Sequence, residues 1–255
     1  MKNKTVIVTG GSSGMGKYMA KKFADEGANV VITGRNKDKL SDVKAEIVNQ
    51  SSGDVHIFPM DVRNPDDVAN MVSDTVETFS GIDYLVNNAA GNFISPAENL
   101  SINGWKSVID IVLNGTFYCS REVGNYWIKE KKPGAILNMV ATYAWNAGAG
   151  VIHNSAAKAG VLNMTRTLAV EWGRRYGIRV NAIAPGPIER TGGADKLFES
   201  EKAAQRTIES VPLQRLGKPE EIADLAYFIL SDKAAYMNGE VVTLDGGQWL
   251  NQYPF

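Results

Sequence analysis

A cluster of glycines directly after the first strand-like run constrains the fold of this chain most strongly. Residues 9–16 read Thr-Gly-Gly-Ser-Ser-Gly-Met-Gly and follow the apolar run of residues 5–8. Glycine permits a tight turn and lets backbone N–H groups approach a phosphate, which the N-terminus of a following helix also favours. The pattern predicts a dinucleotide-binding βαβ unit, with a purely structural turn as the alternative. The predicted contacts are Gly10, Ser12, Ser13, Gly14, Met15 and Gly16.

Short β-rich runs alternate with longer helical runs along the chain. The predicted strands are Lys4–Thr9, Asn29–Thr33, Val55–Met60, Tyr84–Asn87, Ala135–Val140, Arg179–Ala184 and Val241–Leu244. The predicted helices are Gly16–Glu26, Lys37–Gln50, Pro65–Phe79, Trp105–Lys129 and Ser155–Tyr176. Several strands are apolar on both faces, as strands buried between two helix layers are. The alternation predicts an α/β fold with one domain over residues 1–255, a doubly wound parallel sheet covered by helices on both faces.

Composition and charge argue against several classes of function. A formal net charge of −1 and a pI near 6.2 give no reason to expect a nucleic-acid partner or an anionic membrane. One cysteine and two histidines cannot supply a usual zinc ligand set, so we expect no metal site and predict Cys119 to be a core residue. No apolar run reaches membrane-spanning length and no signal peptide is recognisable, so a cytoplasmic location is expected.

The end of the second predicted strand indicates which dinucleotide is bound. Enzymes that use NAD commonly place an acid there for the ribose 2′-hydroxyl, whereas an arginine accommodates a 2′-phosphate. Here the strand ends Thr33-Gly34-Arg35-Asn36, without an acid. The planar guanidinium of Arg35 suits a phosphate, which predicts NADPH as the cofactor. A solvated surface arginine is the alternative.

Further polar and glycine-rich segments follow later strands. Asp61 and Val62 come after the third strand and Asn88 and Ala89 after the fourth, on the edge where the nucleotide is expected. Asp61 has a turn or capping role as its alternative, and Asn87 and Asn88 have hydrogen bonding to backbone groups in a turn as theirs. After the sixth strand, residues 186–213 form a long excursion that we predict to cover the substrate, with a surface hairpin as the alternative. The first residues of that stretch complete the predicted cofactor contacts, namely Pro185, Gly186 and Ile188.

These motifs together resemble the short-chain dehydrogenase/reductase superfamily. The resemblance rests on Thr9-Gly10-(x3)-Gly14-x-Gly16, Asn87-Asn88-Ala89, Lys158, Pro185-Gly186 and Asp245-Gly246-Gly247. It implies a seven-stranded Rossmann sheet and a homotetramer. A typical member uses Ser, Tyr and Lys with an Asn on the preceding helix. Lys158 and Asn114 match two of these, whereas the tyrosine position holds Asn154 and the serine position holds Ala141.

The departures resemble the 2,4-dienoyl-CoA reductase branch of that superfamily. In that branch the active tyrosine stands fifteen residues before the lysine, where this chain has Tyr143. The segment from Asn88 to Pro96 matches as well, and the resemblance makes Asn92 the second catalytic polar group. The branch commonly has a serine at the position of Asn154. The residues that would contact substrate are Asn92, Phe93, Tyr143 and Asn154.

This resemblance implies reduction of a conjugated dienoyl thioester by NADPH during breakdown of unsaturated fatty acids. Tyr143 and Asn92 would then stabilise charge on the thioester oxygen, and Lys158 would hold the nicotinamide ribose. The alternatives are a carbonyl reductase with a rebuilt site and an inactive NADPH-binding module. For the phosphates of an acyl-CoA substrate the basic candidates are Arg63, Arg190, Lys196 and Arg215, with solvated surface charge as the alternative. Structural roles are the alternatives for Tyr143, Asn92 and Asn114.

Overall fold

A computed structural model describes residues 1–191 and 201–251 of the chain. Seven parallel strands form one sheet in the order β3-β2-β1-β4-β5-β6-β7. The strands are β1 Thr5–Thr9, β2 Asn29–Gly34, β3 Val55–Pro59, β4 Tyr84–Asn87, β5 Ala135–Met139, β6 Arg179–Pro185 and β7 Val241–Leu244. The predicted doubly wound Rossmann sheet is confirmed, and no strand end differs from its prediction by more than one residue.

Helices cover both faces of this sheet. They are α1 Gly14–Asp25, α2 Lys37–Val48, α3 Pro65–Phe79, α4 Ile102–Ile109, α5 Gly115–Glu130, α6 Ile152–Tyr176, α7 Glu201–Glu209 and α8 Pro219–Leu230. Neighbouring residues of β1 enter different cores because side chains alternate along a strand. Val6 and Val8 join the core that contains Phe23 of α1, whereas Ile7 joins the core that contains Trp127 of α5. Both faces of the strand are therefore buried, which explains its continuous apolar sequence.

Two of the predicted helices differ from the observed ones by more than two residues. The predicted helix Trp105–Lys129 is divided by a π-helical turn, Asp110–Asn114, between α4 and α5. Such a turn holds one extra residue per hydrogen-bonded ring, which the apolar periodicity alone does not reveal. The last long helix begins at Ile152, not Ser155, because the N–H of Ser155 already donates to the carbonyl of Val151 at 2.8 Å. The earlier start places residue 154 in the first turn of α6.

A chain of buried amides and hydroxyls crosses the middle of the sheet. The side chain of Asn87 on β4 donates to Ser120 of α5 at 2.9 Å and to Asn138 of β5 at 2.8 Å. Asn138 in turn donates to the hydroxyl of Thr165 on α6 at 2.9 Å. These contacts join β4 and β5, which are neighbours in register, to the helices on one face. The carboxyl ends of the two strands are thereby held level.

The carboxyl edge between β1 and β4 is the place where the strand order reverses. After β1 the chain adds β2 and β3 on one side, and then returns to place β4 on the other side of β1. In open parallel sheets a crevice for ligands forms at such a switch point. The predicted cofactor residues that follow these strands accordingly lie along one edge of the sheet.

The described residues carry no helix that is long and apolar enough to cross a membrane. Within the same residues no group of three or more His, Cys, Asp or Glu side chains is placed to hold a metal ion. Cys119 is fully buried, and burial raises the pKa of its thiol to about 12. Its prediction as a core residue is confirmed.

Candidate active site

The glycine-rich turn after β1 is fastened directly to the end of β4. Gly10 has a φ of 66°, and a Cβ there would lie 2.9 Å from the Cα of Ala89. The hydroxyl of Thr9 accepts from the N–H groups of Asn88 and Ala89, both at 3.0 Å. The side chain of Asn88 donates to the carbonyls of Thr9 and Gly10 at 3.0 and 3.1 Å. Asn88 and Ala89 therefore shape this turn, and a side chain at position 10 has no room.

The backbone N–H groups at the start of α1 have no side-chain cap among the described residues. Ser13 precedes the helix in an extended conformation, and its side chain caps none of the N–H groups of the first turn. Ser12 lies at the end of β2, 3.4 Å from the position that a Cβ on Gly34 would take. Thr191 approaches from the other side, 3.6 Å from the corresponding position on Gly14. This cradle of small residues and N–H groups fits the pyrophosphate of a dinucleotide.

The loop after β6 forms the far wall of the cradle. Gly186 donates its N–H to the carbonyl of Leu244 at 3.0 Å, and a Cβ on Gly186 would come within 2.6 Å of Asp245. Ile188 is buried, and its carbonyl accepts from the hydroxyl of Thr191 at 2.8 Å. The predicted contact residues from Pro185 to Ile188 therefore lie beside the crevice, held against the end of β7.

Arg35 stands at the end of β2 with its side chain exposed to solvent. Within the part of the chain that the structure describes, its guanidinium makes no hydrogen bond or ion pair. Asp61, after β3, is different, since its carboxylate binds the guanidinium of Arg63 at 3.0 Å. That contact, with a smaller contribution from Arg35, lowers the pKa of Asp61. Val62 is buried against Gly115, so the structure gives Val62 a packing role.

Tyr143, Asn154 and Gly91 meet where three segments of the chain converge. Tyr143 lies in a 3₁₀ turn after β5 and donates its hydroxyl hydrogen to Oδ1 of Asn154 at 3.2 Å. The Nδ2 group of Asn154 donates to the carbonyl of Gly91, after β4, at 3.1 Å. Burial raises the pKa of Tyr143 to about 12, so the phenol remains protonated at neutral pH. Tyr143, fifteen residues before Lys158 in the sequence, therefore lies after β5 and against Asn154.

Lys158 lies one helical turn after Asn154 and is likewise buried. Its ammonium group donates to the carbonyl of Met139, the last residue of β5, at 2.5 Å. Burial lowers the pKa of Lys158 to about 8, since a charge is poorly solvated there. The lysine therefore holds a proton at neutral pH but releases it more readily than an exposed lysine does.

His153 precedes Asn154 in the sequence and adjoins the site. Its ring is fully buried and packs on the ring of Phe93, with 4.5 Å between centroids. Burial lowers its pKa, partly opposed by the backbone of Phe93, so the ring is neutral at physiological pH. Because His153 packs on Phe93 and Asn154 binds Gly91, two successive residues of α6 contact the segment that also carries the exposed Asn92. Only the apolar character of residues 93 and 94 hinted at such packing.

Asn114 ends the π-helical turn and has a partner within that turn. Its side-chain amide donates to the carboxylate of Asp110 at 2.8 Å. The adjacent Leu113 packs on α6, 2.9 Å from the position that a Cβ on Gly160 would take. The structure therefore places Asn114 beside the helix that carries Lys158, without a direct contact between the two side chains.

Three of the four basic residues considered for acyl-CoA phosphates are engaged with carboxylates. Arg63 binds Asp61, and Arg215 binds both oxygens of Glu221 at 2.7 and 2.8 Å. Arg190 contacts the carboxylates of Glu189 and Glu220 and lies over the ring of Tyr18. The structure favours a surface ion-pair role for these three, and Lys196 lies outside the described residues.

The chain beyond β7 borders the substrate side of the crevice. Trp249 packs edge-on against Trp145, two residues after Tyr143, with 5.9 Å between ring centroids. Gln248 donates to the hydroxyl of Ser210, which follows α7, at 2.8 Å. Only residues 186–191 and 201–213 of the predicted substrate cover are described, and α7 carries no buried residue. A covering role for residues 186–213 stays a prediction.

Known sequences match this chain over almost its whole length. A family model described as enoyl-(acyl carrier protein) reductase matches residues 10–248. A Bacillus subtilis (strain 168) protein named "Probable 2,4-dienoyl-CoA reductase", (2E)-enoyl-CoA-producing, is 64% identical over the full length of both chains. A Danio rerio protein named "Peroxisomal 2,4-dienoyl-CoA reductase", (3E)-enoyl-CoA-producing, is 38% identical across 98% of this chain and 83% of its own.

Solved structures are similar over the same extent. A crystal structure of a short chain dehydrogenase from Bacillus anthracis str. 'Ames Ancestor' has a TM-score of 0.91 and 64% identity, and the match covers 99% of each chain. An Agrobacterium tumefaciens structure with bound NADP has a TM-score of 0.90 and 29% identity over 98% of each chain. On its sheet, its glycine turn and these matches, the chain belongs to the short-chain dehydrogenase/reductase superfamily of oxidoreductases.

Proposed function

We propose that this protein is an NADPH-dependent 2,4-dienoyl-CoA reductase. The observation that carries the proposal is the meeting of Tyr143 with the Gly91–Asn92 turn through Asn154, next to Lys158. The usual acid position of the superfamily holds an amide, and an amide cannot donate a proton at neutral pH. The relatives named as 2,4-dienoyl-CoA reductases support the same substrate class.

The chemistry of a conjugated thioester accounts for the relocated tyrosine. Reduction of a ketone puts charge on the oxygen beside the carbon that accepts hydride, so an acid must stand there. In a 2,4-dienoyl thioester, hydride adds to the δ carbon and the electron pairs shift along the diene to the thioester oxygen. Donors are then needed several bonds away from the hydride acceptor. Tyr143 and Asn92 are suitable donors for that oxyanion.

The cofactor residues fit NADPH. The turn from Gly10 to Gly16 and the start of α1 would hold the pyrophosphate, and Arg35 would bind the 2′-phosphate through its planar fork. Lys158 would donate to the nicotinamide ribose, and its charge would lower the energy of a developing enolate. NADPH supplies the hydride when it is bound.

The substrate steps assign roles to the protein donors and to solvent. Tyr143 and Asn92 bind the thioester oxygen and stabilise the dienolate that results from hydride addition, and Phe93 packs against the acyl chain. A proton from solvent then adds at the α carbon, the electron pair of the enolate forms the new C–H bond, and a 3-enoyl-CoA results. Protonation at the γ carbon would give the 2-enoyl product instead. The two relatives described above carry names with different products, so the site of protonation is a separate question.

An NADPH oxidation assay tests the function. Purified protein is mixed with NADPH and either 2,4-hexadienoyl-CoA or acetoacetyl-CoA, and the loss of nicotinamide absorbance is followed. We expect turnover with the dienoyl thioester alone. Turnover of the ketone alone would make the protein a carbonyl reductase, and binding of NADPH with neither turnover would make it an inactive dinucleotide-binding module.

The same reaction run in deuterium oxide locates the final proton. Deuterium at the α carbon of the product, read by NMR, is the expected result. Deuterium at the γ carbon would overturn the protonation step but leave the reductase assignment standing.

Assembly as a homotetramer and a cytoplasmic location stay predictions. Phe117 of α5 is 46% exposed and Val170 of α6 is 76% exposed, and we propose that these helices carry the contacts between subunits. Light scattering coupled to size-exclusion chromatography measures the mass. A monomer at micromolar concentration would contradict the expected assembly.

A further inference from the structure

The hydrogen bonds of Asn154 settle which way its amide faces. The carbonyl of Gly91 can only accept, so the group that faces it at 3.1 Å must be Nδ2. The oxygen of the amide therefore faces Tyr143, at 3.2 Å from the phenol oxygen. Because that amide oxygen is an acceptor, the tyrosine hydroxyl must be the donor. The carbonyl of Gly91 thus fixes, through the amide of Asn154, the direction in which the Tyr143 hydroxyl donates.

The proposed reaction needs the hydroxyl proton of Tyr143 for the thioester oxygen, but in the free protein that proton is donated to Asn154. A phenol has one O–H, and in the free protein it points to Asn154, which is 2% exposed and so out of competition with bulk water. A substrate oxygen can accept from Tyr143 only if the O–H turns away from Asn154. A serine hydroxyl at this position could reverse from acceptor to donor by rotating, whereas the amide of Asn154 is held by Gly91 and cannot.

We propose that Asn154 is a positioning residue that joins the Tyr143 hydroxyl to the Gly91–Asn92 turn, and that the thioester oxygen of the substrate replaces Asn154 as the acceptor of the tyrosine proton. The proposal rests on the proposed function. It extends that function by giving the site a hydrogen bond that must change partners in each turnover.

The change of hydrogen-bond acceptor, from Asn154 to the thioester oxygen, stabilises the transition state more than it stabilises the bound substrate. A neutral thioester oxygen is no better an acceptor than the amide oxygen of Asn154, so the exchange gains little in the ground state. An enolate oxygen is a charged acceptor, and hydrogen bonds to charged acceptors are roughly twice as strong. The donor is therefore released as charge develops, and interactions that form only then raise kcat.

A double-mutant cycle with 2,4-hexadienoyl-CoA tests the coupling. Asn154→Leu keeps the shape but removes both hydrogen bonds, and we expect kcat to fall about tenfold with no rise in KM. In a Tyr143→Phe background the same change should cost at least about threefold less, because the phenol is already gone. The NADPH dissociation constant, read by fluorescence, should be the same in all four proteins.

Asn154→Asp provides a second readout in its pH profile. A protonated carboxyl can donate to Gly91 and accept from Tyr143, whereas a carboxylate repels the Gly91 carbonyl. The kcat of this variant should recover towards that of the wild type as pH falls, while the wild type shows no such recovery. If Asn154→Leu is insoluble, Asn154→Asp at neutral pH takes its place in the cycle.

The outcomes separate this proposal from the proposed function. A wild-type protein that does not reduce the dienoyl thioester overturns both. An active wild type whose variants lose activity multiplicatively, or whose KM rises while kcat is kept, overturns the role of Asn154 alone. A flat pH profile for Asn154→Asp does the same.

Discussion

One side of the crevice is formed mainly by backbone groups and the other mainly by side chains. The nucleotide side, around the turn from Gly10 to Gly16, uses backbone carbonyls, N–H groups and the absence of side chains. The substrate side uses side chains, with Tyr143 after β5 and Asn154 at the start of α6 joined to the backbone carbonyl of Gly91. On the proposed function, we expect the first side to recognise its ligand by shape and the second to act by the placement of single protons.

This difference predicts two kinds of sensitivity. On the nucleotide side, added atoms disturb the backbone and therefore change both stability and affinity. On the substrate side, removal of one oxygen or nitrogen leaves the backbone in place and changes only the rate. The chemistry on that side can therefore be altered while the cofactor site is kept, as the exchange of the usual tyrosine for Asn154 illustrates.

The largest expected effect is that of Tyr143→Phe on turnover. Loss of one oxyanion donor typically lowers kcat by about 10²–10³, and we expect Asn92→Ala to fall in the same range. The NADPH dissociation constant should not change, because neither side chain belongs to the nucleotide side. Steady-state kinetics and fluorescence titration measure the two quantities.

Tyr84→Phe is the matched control for that change. Tyr84 is also half-buried, but it begins β4 at the opposite edge of the sheet. The control should keep its kcat within about twofold, the scale of an ordinary surface substitution. Weaker NADPH binding in Tyr143→Phe would break the division between the two sides.

Gly10→Ala should act through shape. The left-handed φ of 66° costs an L-residue about 1–2 kcal/mol, and the close approach of Ala89 adds an overpacking cost of about 1–3 kcal/mol. We expect the free energy of unfolding to fall by about 2–5 kcal/mol in urea titrations. Gly81→Ala, whose added Cβ would lie 3.4 Å from the Tyr126 hydroxyl, is the control and should be nearly neutral. Equal stability of the two variants would contradict the tight turn.

Arg35→Ala should change cofactor choice without changing chemistry. A lost charge-assisted hydrogen bond is worth about 1.5–3 kcal/mol, so the preference for NADPH over NADH should fall about 10- to 100-fold. The ratio of kcat/KM for the two cofactors measures this preference. Arg175→Ala removes the same charge at the far end of α6 and should leave the ratio unchanged. An unchanged ratio in Arg35→Ala would instead make this arginine a solvated surface residue.

The smallest expected effect is a pH dependence of cofactor affinity. Lys158 is charged below its pKa of about 8 and neutral above it, and an ammonium is the stronger donor to a ribose hydroxyl. NADPH affinity should therefore weaken about fivefold as pH rises through that value. Lys158→Met should bind more weakly throughout and lose this dependence. A wild type whose affinity is flat across pH 8 would show that the charge of Lys158 plays no part in binding.

The sequence predicted the nucleotide side better than the substrate side for a physical reason. The glycine turn and the strand ends follow from local order, so the sequence predicts where they lie, whereas the use of Arg35 in binding NADPH stays a prediction. The bridge through Asn154 depends on three segments that meet only in the folded sheet, and no local pattern records the contact with Gly91. The resemblance supplied Tyr143, but not its partner.

Two further features could not be read from periodicity. The π-helical turn that ends at Asn114 spans only five residues, which is shorter than the stretch over which apolar periodicity is read. The pairing of Arg63 and Arg215 with acids depends on side-chain positions, so composition could not separate them from free cations. Arg35 was distinguished by its place at a strand end.

The hydrogen bond between the buried amides of Asn87 and Asn138 also favours the native register of β4 and β5 during folding. Side chains alternate along a strand, so a slip of one residue would turn Asn138 to the opposite face, where Leu137 and Met139 normally pack. Each amide would then be buried without a partner, at a cost of about 1–3 kcal/mol. Misaligned sheets are disfavoured before any ligand binds, so only chains with level strand ends persist to assemble the crevice.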